Sequence, residues 1–164
     1  MKTVYLSTPL DPQKTADLRK GDIVYLSGVI YTARDAAHKK LLEHYRDTGE
    51  MPLAGEVIYH AGPCPKGKGV IGSIGPTTSC RMDTYAAGFA GAGVKYSIGK
   101  GNRGQDAAKA IAEAGGAHFD AVGGAGAFYM RKVKKAEIFL YPELGAEAVW
   151  RLEVEDFPVI VSII

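Results

Sequence analysis

The chain has 164 residues, of which 46% are hydrophobic and 23% are charged, and its formal net charge at pH 7 is +2. This balance is typical of one globular domain with a sizeable core, and it excludes a disordered chain. The small net charge argues against binding to nucleic acid or to a membrane surface. We find neither an apolar run of the roughly 18 residues needed to span a bilayer nor a secretory signal, so we expect a cytoplasmic protein.

The first half of the chain alternates between strand-like and helix-like segments. Residues 22–33 (DIVYLSGVIYTA) are rich in β-branched and aromatic side chains, which predicts a strand, and Gly28 within it predicts a bulge. Residues 34–49 predict a helix, because apolar side chains recur on one face and the last residue is a glycine. Two short buried strands and a second helix are expected next, in EVIYHAG, GVIGSIG and CRMDTYAAGFAGAG, with Thr78 or Ser79 as the cap of that helix.

The second half continues the same alternation. A strand, a small alanine-rich helix and two further strands are followed by an extended tail; their sequences are VKYSIG, GQDAAKAIAEAGG, FDAVGG, AEIFLY and AVWRLEVEDFPVIVSII. Helices alternating with strands in this way predict an α/β fold, and the late run of strands predicts a mixed sheet. No linker, repeat or low-complexity segment interrupts the pattern, so we expect a single domain over residues 1–164.

Three glycines, Gly99, Gly101 and Gly104, have the spacing G-x-G-x-x-G of dinucleotide-binding loops and lie between a predicted strand and a predicted helix. Lys100 and Arg103 within the motif argue against that function, because small or apolar residues there usually let the backbone approach a pyrophosphate. Two alternatives remain open. The glycines form turns only, or Lys100 helps to bind a small anion near a helix N-terminus.

Two cysteines and one basic run indicate little chemistry of their own. Cys64 and Cys80 form no C-x-x-C motif and have no histidine at zinc-ligand spacing, so we expect reduced thiols and no metal ligand in this chain. The run RKVKK, residues 131–135, is expected to be a solvated face or a strand edge rather than a phosphate-binding patch, because no aromatic residues are interleaved with it.

The densest group of hydrogen-bonding side chains is GPTTSCRMD, residues 75–83. This stretch resembles the β subunits of class I, iron–sulfur-dependent fumarases and of the related tartrate dehydratases. Four further stretches share the resemblance, in the expected order and over nearly the whole chain: GDIVYLSGVIYTARDAAHKKL, SIGKG, GGAGAFY and ELGAEAVWRLEVEDFPVIV. The resemblance implies a swivelling β/β/α domain. It also implies a hetero-oligomer with a separate α subunit that carries a four-iron four-sulfur cluster.

The number of cysteines agrees with a cluster on another polypeptide. A cluster with one open iron needs three protein ligands, normally cysteines, and this chain has two. An iron with an open coordination position would polarise the hydroxyl of malate during loss of water. We therefore expect the isolated chain to be inactive.

Three basic residues are candidates for binding a dianionic substrate such as malate or fumarate. Arg34 lies where a predicted strand gives way to a helix, Arg81 lies in the first turn of the predicted second helix, and Lys100 ends another strand. Strand ends and helix starts at one edge of an α/β sheet tend to meet in one crevice, and arginine can bind a carboxylate through two hydrogen bonds. We therefore expect all three residues at one site.

Hydroxyl side chains complete the predicted site. Thr78 and Ser79, together with the backbone amides that follow Pro76, are expected to receive a substrate carboxylate, although a plain helix cap would need only one hydroxyl. The resemblance implies that Thr77 is the base that moves the proton on carbon 3 of malate. A threonine hydroxyl is a very weak base unless cations stabilise its alkoxide, and Arg81 is the candidate for that role.

Three further residues are expected close to this site, behind the residues that bind the substrate. Asp35 and Asp83 orient neighbouring arginines or compensate a helix dipole. His38 lies one helical turn after Arg34, where it packs the helix, orients a substrate carboxylate or acts in proton transfer.

The leading hypothesis is the β subunit of a class I fumarase, a hydro-lyase that interconverts fumarate and (S)-malate together with its α subunit. The β subunit of an L(+)-tartrate dehydratase is the nearest alternative, because both substrates are four-carbon dicarboxylates. A non-catalytic dicarboxylate-binding or assembly module is the alternative from a different class.

Overall fold

The computed structural model describes residues 1–66 and 71–164. Nine strands lie in this part of the chain: β1 Thr3–Ser7, β2 Ile23–Thr32, β3 Val57–Tyr59, β4 Cys64–Pro65, β5 Ile71–Ser73, β6 Tyr96–Gly99, β7 Ala117–Asp120, β8 Val133–Leu140 and β9 Val149–Ile163.

Helices connect most of these strands. The α-helices are α1 Pro12–Ala16, α2 Asp35–Thr48, α3 Asp83–Gly91, α4 Gln105–Glu113 and α5 Gly126–Met130, and two 3₁₀ segments span Ser79–Met82 and Pro142–Glu147. No helix within the described residues is both long and apolar enough to cross a bilayer.

The main sheet closes on itself. Its strand order is β1-β2-β3-β6-β7-β9-β8, and β9 also pairs with β2, so that β2, β3, β6, β7 and β9 form a ring of five strands. The four strands β2, β3, β6 and β7 run parallel to one another, whereas β9 is antiparallel to both of its neighbours in the ring. The carboxyl ends of four adjacent strands therefore lie at the same end of the barrel.

Two buried clusters hold this architecture together. Large side chains from the ring strands form the first cluster, which fills the barrel as in other small barrels; they include Leu26, Ile30, Tyr59, Phe119 and Phe157. The second cluster packs α2 and α3 against the outside of the barrel and includes Ala37, Leu41, Ile58 and Phe89. Tyr59 and its neighbour Ile58 belong to different clusters because successive strand residues point to opposite faces.

The predicted α/β fold with a mixed sheet is confirmed. The strand expected over residues 22–33 is β2, and its pairing with β9 shifts register between Leu26 and Gly28, as expected for a bulge. The helix expected over residues 34–49 is α2, which ends at Gly49 in the left-handed conformation. The basic run at residues 131–135 leads into β8, a strand at the edge of the sheet.

The start of the second helix was predicted wrongly. Residues Ser79–Met82 form a 3₁₀ turn, and α3 begins only at Asp83, so Arg81 precedes the α-helix. Neither predicted cap operates, because Met82 is the N-cap residue of α3 and no side-chain hydrogen bond caps the 3₁₀ turn. The reason is tertiary: contacts with the ends of β3 and β6, described below, fix this backbone.

Five smaller elements were not predicted, namely β1, α1, β4, α5 and the 3₁₀ segment Pro142–Glu147. The strand predicted in GVIGSIG is present as β5, and the first two residues of that prediction, 69 and 70, lie outside the described residues.

We expect Gly28→Ala to destabilise the fold. Gly28 has a φ of +111°, and a Cβ atom there would lie 2.5 Å from the Thr8 hydroxyl oxygen and 3.1 Å from the Thr8 carbonyl oxygen. The backbone strain and the overpacking should together lower the free energy of unfolding by about 2–4 kcal/mol. Urea unfolding measures this loss.

Gly91→Ala is the matched control, because a Cβ atom at Gly91 meets no atom within 4 Å. Its free energy of unfolding should change by less than about 1 kcal/mol. Equal losses for the two variants would contradict the role assigned to Gly28.

Candidate active site

The candidate site lies at the carboxyl ends of the parallel strands, the edge where α/β sheets usually bind ligands. Arg34 follows β2, residues 60–62 follow β3, Lys100 follows β6, and Gly123 lies shortly after β7. Since these strands are neighbours in the ring, the four segments lie side by side.

The segment from Pro76 to Met82 crosses this edge and is bound to two of the strand ends. Ala61 forms an isolated antiparallel bridge with Pro76, and the Thr77 amide donates to the His60 carbonyl at 2.7 Å. On the other side, Thr78 forms a parallel bridge with Lys100. These backbone contacts place Thr77 and Thr78 between β3 and β6.

The two arginines approach each other through an aspartate. An Arg81 guanidinium nitrogen lies 3.4 Å from a carboxylate oxygen of Asp35, the residue after Arg34. Arg34 Nε lies 4.0 Å from a Glu147 carboxylate oxygen, too long for a hydrogen bond, and this buried nitrogen has no hydrogen-bond partner among the described residues. Asp35 therefore orients Arg81, one of the two functions expected of it.

Two glycines leave space for the side chains of Arg34 and Lys100. A Cβ atom at Gly62 would lie 2.8 Å from Arg34 Nη1, and one at Gly123 would lie 2.8 Å from Lys100 Cδ. The Arg34 guanidinium thus packs on the segment after β3, and the Lys100 side chain packs on the loop after β7. The structure brings Arg34, Arg81 and Lys100 to a single edge, around the turn that contains Thr77.

The hydroxyls of the turn differ in their surroundings. Thr78 is exposed and Thr77 is partly exposed, and no hydrogen bond within residues 1–66 and 71–164 occupies either hydroxyl. Ser79 is fully buried, and its hydroxyl lies 3.1 Å from His118 Nε2. The prediction that the Ser79 side chain binds substrate is therefore not supported, because its hydroxyl is directed into the protein.

Two of the backbone amides expected to receive a carboxylate are already used. The Thr77 amide donates to His60, and the Ser79 amide donates to the Lys100 carbonyl at 2.8 Å. That part of the prediction was wrong, because the turn is attached to the sheet through these same donors. The Thr77 and Ser79 amides are therefore not free to bind a substrate carboxylate.

The glycine motif has a structural explanation. A Cβ atom at Gly99 would lie 2.2 Å from the Ser79 hydroxyl oxygen, so Gly99 leaves room for that side chain. The Gly104 amide, at the start of α4, donates to the Asp83 carboxylate at 2.7 Å, and Asp83 also pairs with the buried Arg103 side chain. The Asp83 carboxylate thus binds the amide at the start of α4, where a dinucleotide would place a phosphate. This favours the interpretation that the glycines form turns over a dinucleotide-binding site.

Three buried histidines underlie the site, and the sequence reading identified only His38. The rings of His38 and His60 have centroids 5.3 Å apart, and those of His60 and His118 are 5.9 Å apart. Burial lowers the pKa of His38 to about 4 and that of His118 to about 3, and it lowers the pKa of His60 well below the usual value of 6.5. All three imidazoles are therefore neutral at pH 7.

His38 supports Arg34 through the backbone. Its Nδ1 lies 2.8 Å from the Arg34 carbonyl oxygen, which can only accept, so Nδ1 carries the proton. The ring also stacks on Phe89 at 4.5 Å and is nearly inaccessible to solvent. The packing alternative for His38 is therefore favoured over contact with a substrate carboxylate.

The side chains of residues 1–66 and 71–164 do not form a site for an iron–sulfur cluster. Cys64 and Cys80 are both exposed and free. No group of three or more histidine, cysteine, aspartate or glutamate side chains in the described part of the chain is arranged to hold a metal ion. We derive no chemical step through a metal held by this chain.

Fold and site together define an α/β barrel domain whose open end gathers cations around a threonine-bearing turn. Comparison with known proteins identifies the family: the profile of the Fumarase C-terminus family matches residues 1–164, and the chain belongs to this family.

Relatives carry two kinds of name. The chain is 38% identical to "Fumarate hydratase 2" of Leishmania major, over 98% of this chain and 29% of that protein. It is 41% identical to "Fumarate hydratase class I, aerobic" of Escherichia coli, over 84% of this chain and 26% of that protein. It is also 35% identical to the "L(+)-tartrate dehydratase subunit beta" of Escherichia coli, over 96% of this chain and 81% of that protein. The chain thus spans less than a third of these fumarate hydratases but most of the tartrate dehydratase subunit.

We expect the buried histidines to make the fold sensitive to acid. Below pH 6.5 the unfolded chain binds protons at its histidines, whereas the folded chain does not until the pH reaches about 4 for His38 and about 3 for His118. The free energy of unfolding should therefore fall as the pH is lowered from 6.5 to 4, by up to about 1.4 kcal/mol per pH unit for each histidine. Urea unfolding at a series of pH values measures this slope.

The variant His118→Asn serves as the comparison. It should be less stable than the parent at pH 8, but its loss of stability between pH 6.5 and 4 should be smaller by about one histidine's contribution. A parent stability that stays constant from pH 8 to pH 5, or an unchanged slope in the variant, would contradict the neutral state of these rings.

Proposed function

We propose that this chain is the β subunit of a class I fumarase and interconverts fumarate and (S)-malate with a separate α subunit. The observation that carries the proposal is the convergence of Arg34, Arg81 and Lys100 on the turn that contains Thr77. Family membership and the names of the relatives support the reaction class, a hydro-lyase acting on a four-carbon dicarboxylate.

The cations bind and orient the substrate. Fumarate and malate are dianions at pH 7, and three cations at an open edge can grip both carboxylates, with each charge-assisted hydrogen bond contributing roughly 1.5–3 kcal/mol. Arg81 is paired with Asp35, so its guanidinium group is already oriented before substrate binds. The Arg34 side chain is partly exposed, so its guanidinium group can contribute a hydrogen bond to a carboxylate at this edge.

Thr77 is the residue that moves the proton. In the direction of dehydration its Oγ1 must start as an alkoxide and take the proton from carbon 3 of malate; in hydration the same atom returns it. The Thr77 hydroxyl is partly exposed at the open edge, and its amide is fixed to the His60 carbonyl, so the position of its backbone is determined. Arg81 and Lys100, on either side of the turn, stabilise the alkoxide electrostatically. Thr78, exposed beside it, offers a hydroxyl to a carboxylate.

The α subunit supplies what this chain lacks. Family resemblance implies a four-iron four-sulfur cluster on that subunit, whose open iron would polarise the substrate hydroxyl as a Lewis acid. Exposed apolar side chains follow β7: Val122, next to the glycine that packs on Lys100, is 59% exposed, and Phe128, on α5, is 46% exposed. We place the contact with the α subunit on this edge, so that the two half-sites face each other.

A second candidate is supported by one specific observation. The Escherichia coli relative that the chain spans over 81% of its length is named a tartrate dehydratase subunit. L(+)-tartrate differs from malate by one additional hydroxyl, so the same cations could bind it. Activity on the two substrates separates these candidates.

The test is reconstitution under anaerobic conditions. The purified chain is expected to show no hydratase activity alone and to gain activity on malate and fumarate when mixed with the cluster-loaded α subunit. Thr77→Val keeps the shape of the side chain and removes the hydroxyl, so it should lower kcat by at least about 10³-fold while the complex still forms on gel filtration.

Thr84→Val is the matched control, since Thr84 is an exposed threonine on α3, beyond the turn. It should retain the parent kcat. Near-normal turnover of Thr77→Val would remove Thr77 from its role. Activity on tartrate alone would favour the second candidate, and absence of any activity with all three substrates would leave a binding or assembly module.

A further inference from the structure

A buried polar group lies directly beneath the turn that carries Thr77. His118, on β7, is inaccessible to solvent and lies between two hydroxyls: its Nε2 is 3.1 Å from Ser79 Oγ, and its Nδ1 is 2.7 Å from Ser97 Oγ on β6. The imidazole therefore links the turn to the two strands behind it.

Ser79 is the contact through which this link reaches the site. Its backbone amide donates to the Lys100 carbonyl, and its side chain reaches inward to His118. Its hydroxyl also lies so close to Gly99 that a Cβ atom on Gly99 would overlap with it at 2.2 Å. Ser79 is thus fixed by its backbone, by its side chain and by close packing. It lies two residues after Thr77 and packs against Gly99, the residue before Lys100.

A neutral imidazole is well suited to this position. In its neutral form it has one N–H donor and one acceptor nitrogen, and a hydroxyl can serve as either, so both contacts can be satisfied at once. Burial lowers the pKa of His118 to about 3, and the nearby Arg103 guanidinium acts in the same direction. The Asp120 carboxylate lies 3.9 Å from Nε2, outside hydrogen-bond range, so it does not compete with Ser79.

We propose that His118 is a positioning residue for catalysis, which acts through Ser79 to hold the Thr77–Arg81 turn against the end of β6. The inference rests on the proposed function and adds to it a residue that touches no substrate. The contact between His118 and the Ser79 hydroxyl fixes the turn, so Thr77 Oγ1, Arg81 and Lys100 keep their relative positions.

Three substitutions test this in the reconstituted enzyme. A misplacement of about 1 Å can cost about 10²-fold in rate, so Ser79→Ala and His118→Leu should each lower kcat by about 10- to 100-fold, with a smaller change in KM. His118→Gln has an amide that can both donate and accept, and it should retain more of the parent kcat than His118→Leu. The double variant Ser79→Ala/His118→Leu should be no slower than its slower single variant, because both substitutions break one link.

A purely space-filling role predicts the opposite order. An apolar leucine would then preserve kcat at least as well as glutamine, and the effects of the two single substitutions would multiply. Either result, or a kcat of Ser79→Ala within twofold of the parent, overturns the proposal. Thr15→Val is the control, because Thr15 has a buried hydroxyl that contacts Tyr96 at the opposite end of β6. It should leave kcat unchanged.

A second readout does not depend on activity. Amide hydrogen exchange in the chain alone should show the Ser79 amide exchanging at least about tenfold faster in His118→Leu than in the parent, and unchanged in Thr15→Val. If the reconstituted complex has no hydro-lyase activity, the proposed function fails, and this exchange measurement alone decides the inference. Unchanged exchange of the Ser79 amide in His118→Leu overturns it.

Discussion

The site depends on the attachment of one short segment to the ends of two parallel strands. The segment from Pro76 to Met82 donates its Thr77 amide to the end of β3 and its Ser79 amide to the end of β6. Lys100 follows β6 itself, and Arg34 follows β2, the neighbour of β3 in the ring, so both residues lie beside the same segment. Closure of the ring by β9 fixes the spacing of the strands, and hence of the charges.

Gathering cations at one edge carries an electrostatic cost, which the structure offsets in part. Like charges within a few ångströms repel, and the repulsion grows where water is excluded. Arg81 is paired with Asp35, and both side chains are substantially exposed. Glu147, on the 3₁₀ segment before β9, lies near Arg34 without forming a hydrogen bond. The acids reduce the repulsion and leave cationic hydrogen-bond donors for a dianion.

Beneath the charged edge lies a layer of uncharged polar groups. His38 bonds to the Arg34 carbonyl, the His60 carbonyl receives the Thr77 amide, and His118 contacts the Ser79 hydroxyl. The imidazoles of His38 and His118 and the backbone of His60 therefore support the site, and burial keeps all three rings neutral, so that none adds to the repulsion above it. The same burial makes the fold sensitive to acid, which couples the support of the site to stability.

The sequence predicted those features that local patterns encode. The periodic apolar face of α2, the β-branched run of β2 and the bulge at Gly28 are local, and each is present. The end of α2 at Gly49 follows from the conformational freedom of glycine in the left-handed region. The placement of Arg34 and Lys100 at one edge followed from strand ends, and the structure brings them together.

Features set by distant contacts were missed. The 3₁₀ turn at Ser79–Met82 replaces a predicted helical start because hydrogen bonds to β3 and β6 dictate its backbone. The inward direction of Ser79 depends on His118, 39 residues away, and no local pattern pairs the two. The spacing of the glycines from Gly99 onward matches a dinucleotide-binding loop, and only the structure shows that Gly99 makes space for Ser79. One available signal was overlooked: His60 and His118 each lie in or directly after an apolar strand.

The central claim is that Arg34, Arg81 and Lys100 bind one dicarboxylate around Thr77. A crystal structure of the chain bound to its α subunit, with succinate as a four-carbon dicarboxylate that has no hydroxyl to eliminate, tests it most directly. The account predicts carboxylate oxygens within about 3.2 Å of at least two of the three cations, with Thr77 Oγ1 facing a methylene carbon. Succinate bound at another face of the barrel, or at this edge with Thr77 directed away from it, would contradict the account.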